Sequence, residues 1–172
     1  MPEAAKFYIN LARLVDRAVV EYEEAREALS SFRDFRAFNT LVNGVSSIEA
    51  GITSTHRALQ FIGALRRVGL LDAEGAPLVP RPRDFIPSHE AVAGVYKNVR
   101  DAIQHLDERM SSAGLGPRDV IMVEPTEDDF NIEGHTIRYA DWCNHLRQLD
   151  AFVRRIATVP TAQLTIAMRG EA

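Results

Sequence analysis

Residues 11–29 read Leu11-Ala-Arg-Leu-Val-Asp-Arg-Ala-Val-Val-Glu-Tyr-Glu-Glu-Ala-Arg-Glu-Ala-Leu29. Leu11, Leu14, Val15, Ala18, Tyr22, Ala25 and Leu29 recur at steps of three and four, which lines one face of an α-helix. The pattern predicts a first helix from about Glu3 to Phe32, with Glu21, Glu23, Glu24, Arg26 and Glu27 on its solvated face. The same period continues downstream. Phe38, Leu41, Val45, Ile48, Ile52, Leu59, Ile62 and Leu65 predict a second helix over roughly Asp34 to Val68. Along it, Gly44, Ser47, Gly51, Thr55 and Ala58 form a stripe of small side chains. A glycine costs a helix up to ~1 kcal/mol relative to alanine. The stripe therefore predicts either a close helix contact or a break near Asn43-Gly44. Phe32, Phe35 and Phe38 are expected to pack in the core.

Working outward, residues 69–87 hold Gly75, Pro77, Pro80, Pro82 and Pro87 and read as a proline-rich loop. Ser88 can cap a third helix that runs to about Ser112, with Gly114 as its stop. Residues 119–139 read as a β insertion. Val120 to Val123 are apolar, and Phe130, Ile132, Thr136, Ile137 and Tyr139 flank a turn at Glu133-Gly134-His135. Asp141 is placed to cap a fourth helix bearing Trp142, Leu146, Leu149, Phe152, Val153 and Ile156, which Pro160 ends. Residues 160–172 are a tail, frayed or laid along the bundle. The expectation is one mainly α domain over residues 1–172: an antiparallel four-helix bundle with a small β-hairpin before its last long helix.

Composition narrows the function. The chain has 172 residues and 46% hydrophobic content, enough for a core without disulfides or metals. No apolar run approaches the ~18 residues of a membrane span. The start, Met1 to Lys6, has no secretory character, and Cys143 is the only cysteine, so a reducing cytoplasm is the expected compartment. A net charge of −4 argues against a protein that coats DNA or RNA. Lys6 and Lys97 are the only lysines among 20 cations, and arginine suits bidentate phosphate contacts. A GC-rich genome accounts for the same excess.

The third helix carries Val99-Arg-Asp-Ala-Ile-Gln-His-Leu-Asp-Glu-Arg-Met110. Its segment Arg100-Asp101-Ala102-Ile103-Gln104-His105 resembles the signature of the HEPN superfamily, small helical domains of many prokaryotic toxin, abortive-infection and RNA-processing systems. The resemblance is sharp over about twelve residues and architectural over the rest; Asp101 stands where asparagine is commonest. It implies a homodimer and an RNA substrate, with an antitoxin protein as partner in toxin–antitoxin members. It also implies metal-independent ribonuclease chemistry without a cofactor, with Arg100 and His105 at the active site. Two other pairs have similar spacing. Arg83 and His89 are separated by Pro87, and Arg138, ahead of His145, is followed by Tyr139 rather than a polar residue.

At ~100° per residue, Val92, Val95, Val99, Ile103, Leu106 and Met110 form a buried stripe. Arg100 and His105 fall on opposite flanks of it. A second copy of the helix across a two-fold axis would bring them together. Asp101 shares a face with His105, and Asn98 and Arg109 project to the same side as substrate contacts. The same polar residues would equally serve as the wet side of an amphipathic helix. Three functional classes follow. A nuclease needs Arg100 and His105 in an exposed cleft. A non-catalytic partner-binding module of the same fold would hold them in ion pairs and expose an apolar patch. A small-molecule-binding bundle would show an apolar pocket with few polar groups.

Other chemistry finds little support. The sequence has no H-E-x-x-H, C-x-x-C or phosphate-binding glycine loop. Cys143 reads as a core thiol. Glu124, Glu127, Asp128 and Asp129 read as a solvated hairpin rim rather than a cation site. His56, His89, His135 and His145 lack partners at ligand spacing.

Overall fold

The computed structural model describes residues 3–68, 70–71, 89–111, 123–158 and 165–166. Within them the chain is mainly helical, with four helices and a three-stranded antiparallel sheet. Helix α1 (Glu3–Phe35) and helix α2 (Phe38–Val68) form a long helical hairpin. Only Arg36 and Ala37 join them. Arg36 adopts φ 54° and donates its N–H to the Phe32 carbonyl at 2.8 Å, the left-handed stop that glycine more often supplies. Helix α3 (His89–Ser111) packs on α2, and helix α4 (Tyr139–Ala157) packs on α1.

The small-residue stripe on α2 is a contact surface, and the helix runs unbroken through it. A Cβ on Gly44 would lie 2.9 Å from the Leu29 side chain of α1. A Cβ on Gly51 would meet the Trp142 indole of α4 at 2.6 Å. The core joins Leu11, Val15, Ala18, Ile48, Ile52, Leu59, Tyr96, Val99, Trp142, Leu149 and Ile156 with Phe130, Ile132 and Ile137 of the sheet.

Strands β2 (Glu124–Pro125), β3 (Asp129–Ile132) and β4 (His135–Arg138) form the sheet, with Phe130 opposite both Pro125 and Ile137. Val123, the described end of the expected 120–123 run, is buried ahead of β2. The turn is Glu133-Gly134, with φ 51° and 81°, and His135 already belongs to β4. Two positive φ values in a two-residue loop match the twist of the flanking strands. Gly134→Ala is expected to cost about 1–2 kcal/mol, read as a lower midpoint in urea; an unchanged midpoint would contradict it. Strands β1 (Leu70–Leu71) and β5 (Thr165–Ile166) pair separately, so part of the expected tail lies against part of the expected loop. The rest of residues 69–87 and 160–172, with Ser88, Gly114 and Pro160, falls outside the described residues.

Four local expectations are corrected. Phe35 and Phe38 are 79% and 75% exposed, because the tight hairpin places them at its tip beyond the reach of α3 and α4. Glu21 is only 3% exposed. It lies where α1 crosses Gly51 and is paired with Arg17 one turn back. Asp141 does not cap α4. The helix starts two residues earlier with Arg138 as N-cap, and Asp141 sits in its first turn. Val95 is exposed whereas Tyr96 and Ala102 are buried, so the buried face of α3 is broader than the valine stripe.

Candidate functional site

The α3 segment is amphipathic, and packing decides what its two flanks meet. Tyr96, Val99 and Ala102 face the core. Arg100 is 21% exposed and turned along its own helix, where Nη1 donates to Gln104 Oε1 at 2.6 Å and Nη2 lies 3.0 Å from Asp101. Its Nε is buried and finds no hydrogen-bond partner among the described residues. Lys97 pairs with the other Asp101 oxygen at 3.1 Å. Partial burial alone would raise the Asp101 carboxyl, but the Lys97 hydrogen bond and the Arg100 charge outweigh it and hold the group below its ordinary range. His105 is exposed on the other flank, as is Asn98. The side chain of Arg109 lies outside the described ones. Arg100 and Asp101 are thus in direct contact, and His105 is exposed.

His56 of α2, which showed no partner in the sequence, belongs to this neighbourhood. It is 4% exposed. Burial and then the positive charge of Arg100 lower its pKa, with Asp101 acting in the opposite sense. No sequence spacing could have found it, because residue 56 comes within the field of residue 100 only when α2 packs on α3.

A second constellation lies between α3, β4 and α4. The Tyr96 hydroxyl is 2.9 Å from His145 Nδ1, and the two rings meet edge to face. Arg138 binds Asp141 through two nitrogens, at 2.8 and 3.0 Å. All four residues line one cleft. Of the three arginine–histidine pairs in the sequence, Arg138 and His145 therefore share a cavity wall. Cys143 is half-buried beside Tyr22. The described residues contain no group of His, Cys, Asp and Glu arranged to hold a metal. Their helices include none long and apolar enough to cross a membrane.

The two histidines set a pH dependence. Burial lowers the pKa of both His56 and His145 below the 6.5 of a free imidazole. Between the folded and unfolded values the unfolded chain binds more protons, so stability rises with pH there and levels off above about 6.5. Melting temperature is expected to be flat from pH 7 to 8 and to fall as pH drops through 6. His56→Gln should flatten that fall; a variant with the wild-type slope would show that His56 does not contribute. Asp101 and Asp141 are depressed carboxylates, so their contribution is lost separately, below pH 4.

Comparison of the chain with protein-family models, curated proteins and solved structures returns no match.

Proposed function

We propose that this chain is a HEPN-like helical protein acting as a metal-independent endoribonuclease of a toxin–antitoxin or phage-defence type. The observation that carries the reading is the exposure of His105 on the helix that holds Arg100 against Asp101. A general acid or base must reach its substrate, and an imidazole sealed in the monomer core could not. In this reading His105 takes the 2′-hydroxyl proton as the 2′-oxygen attacks the adjacent phosphorus. The P–O5′ bond breaks, the departing 5′-oxygen takes a proton from water, and a 2′,3′-cyclic phosphate remains. Arg100 stabilises charge on the phosphate oxygens, Asp101 orients it, and Asn98 and, from its place in the sequence, Arg109 are substrate contacts. Because Arg100 and His105 occupy opposite flanks, the working unit is a homodimer with α3 facing its twin.

A second reading has its own support. Arg100 is ion-paired, and Phe35, Phe38 and Val42 are exposed together around the hairpin tip, as a non-catalytic partner-binding module would have them. Incubating the chain with single-stranded RNA in excess chelator separates the two. Cleavage by wild type is expected, with loss in Arg100→Ala and in His105→Ala and recovery when the two variants are mixed. RNA left intact by wild type would leave the partner-binding module.

A further inference from the structure

The cleft between α3, β4 and α4 is distinct from the Arg100–His105 strip and has the make-up of a ligand site. It is open on one side and has a volume of about 550 Å³, within the range of small-molecule pockets. Val92, Val95 and Ile137 supply its apolar wall, Tyr96 and His145 supply a buried polar pair, and the Thr136 hydroxyl at the edge already accepts from Asn131 Nδ2 at 2.7 Å. We infer that this cleft binds a small, uncharged, largely apolar molecule that carries one hydrogen-bond acceptor, such as a carbonyl, received by His145.

Three features define that ligand. Tyr96 is almost fully buried, and burial drives its phenol far above the ordinary tyrosine value, so the hydroxyl keeps its proton. It finds no other acceptor among the described residues, so the arrangement that leaves its buried hydrogen satisfied has it donating to Nδ1. A neutral imidazole that accepts at Nδ1 carries its hydrogen on Nε2, and burial keeps the ring neutral near pH 7. His145 thus offers the cleft a fixed N–H donor. The charged groups of the lining, Arg138 and Asp141, neutralise each other in a two-nitrogen ion pair and leave no net charge to attract an ion. Apolar walls then reward an apolar body, and the His145 N–H rewards an acceptor.

The test uses acetophenone and ethylbenzene, which share a ring and differ in the carbonyl. Nitrogen-15 NMR of the His145 ring, with the full chain at pH 7.5, reads occupancy. Acetophenone is expected to shift the signal saturably, with affinity near the millimolar range that so small a ligand allows. Ethylbenzene should bind about fivefold more weakly, the factor for one neutral hydrogen bond. Val95→Glu changes an exposed wall residue and should abolish the acetophenone effect while leaving the fold intact by circular dichroism. His145→Phe keeps a ring and should remove the preference for acetophenone, followed by its Tyr96 ring signals. No saturable shift, a shift that persists in Val95→Glu, or equal affinity for the two compounds would overturn the inference.

Discussion

Trp142→Ala is expected to destabilise the protein by about 3–5 kcal/mol, the range for deleting a large buried aromatic. The indole is fully buried and is the only tryptophan. It touches three other elements. Its ring meets Tyr22 of α1 edge to face at 5.1 Å and Phe130 of β3 at 5.8 Å, and it covers the bare backbone at Gly51 of α2. Its Nε1 donates to Thr55 Oγ1 at 3.1 Å, while the Thr55 hydroxyl donates to the Gly51 carbonyl at 2.8 Å. Alanine would leave a void that helices held by Gly51 cannot close, and it would remove the donor that Thr55 accepts from. Urea denaturation followed by far-ultraviolet circular dichroism reads the change without the lost fluorophore. Trp142→Phe should cost less, because part of the ring remains. A loss below about 1 kcal/mol for Trp142→Ala would show that the indole is not the wedge between α2 and the sheet.

The second large effect concerns activity. Replacing His105 with alanine is expected to slow RNA cleavage by about 10²–10⁴-fold, the usual contribution of a positioned acid or base. Stability should change by no more than about 0.5 kcal/mol, because the side chain is on the surface. That separation distinguishes lost chemistry from lost folding. Asp101→Asn keeps a hydrogen-bond acceptor for Arg100 but removes the charge that Lys97 and Arg100 share. It should lower the rate by less than His105→Ala. Initial rates on a labelled single-stranded RNA measure both. Cleavage by His105→Ala at the wild-type rate would end the proposed chemistry.

The helices were legible because their signal is local. The three-and-four spacing from Leu11 to Leu29 survives in the structure, and so does the long second helix with its small stripe. The hairpin was equally plain, since Gly134 between Phe130 and Ile132 on one side and Thr136 and Ile137 on the other leaves few alternatives. Misreadings came where a residue's surroundings lie far off in sequence. Glu21 looks like one more surface acid, yet it is covered where α1 meets α2. Phe35 and Phe38 look like core, yet a two-residue link puts them at the end of the hairpin.

The same division holds for the sites. Sequence by itself determined the helical periodicity, a turn within Glu133-Gly134-His135, which the structure narrows to Glu133-Gly134, and the presence of Arg100, Asp101 and His105 on one helix, because each depends on residues within a few positions of one another. Tertiary structure alone decided that His56 lies in the field of Arg100, that Tyr96 locks His145, and that Arg138 and His145 share a cleft. Those relations link side chains 40 or more residues apart in two of the three cases, and in the third they need the sheet edge folded against α4. Packing of one helix against another sets them, and no one-dimensional pattern encodes which faces will meet.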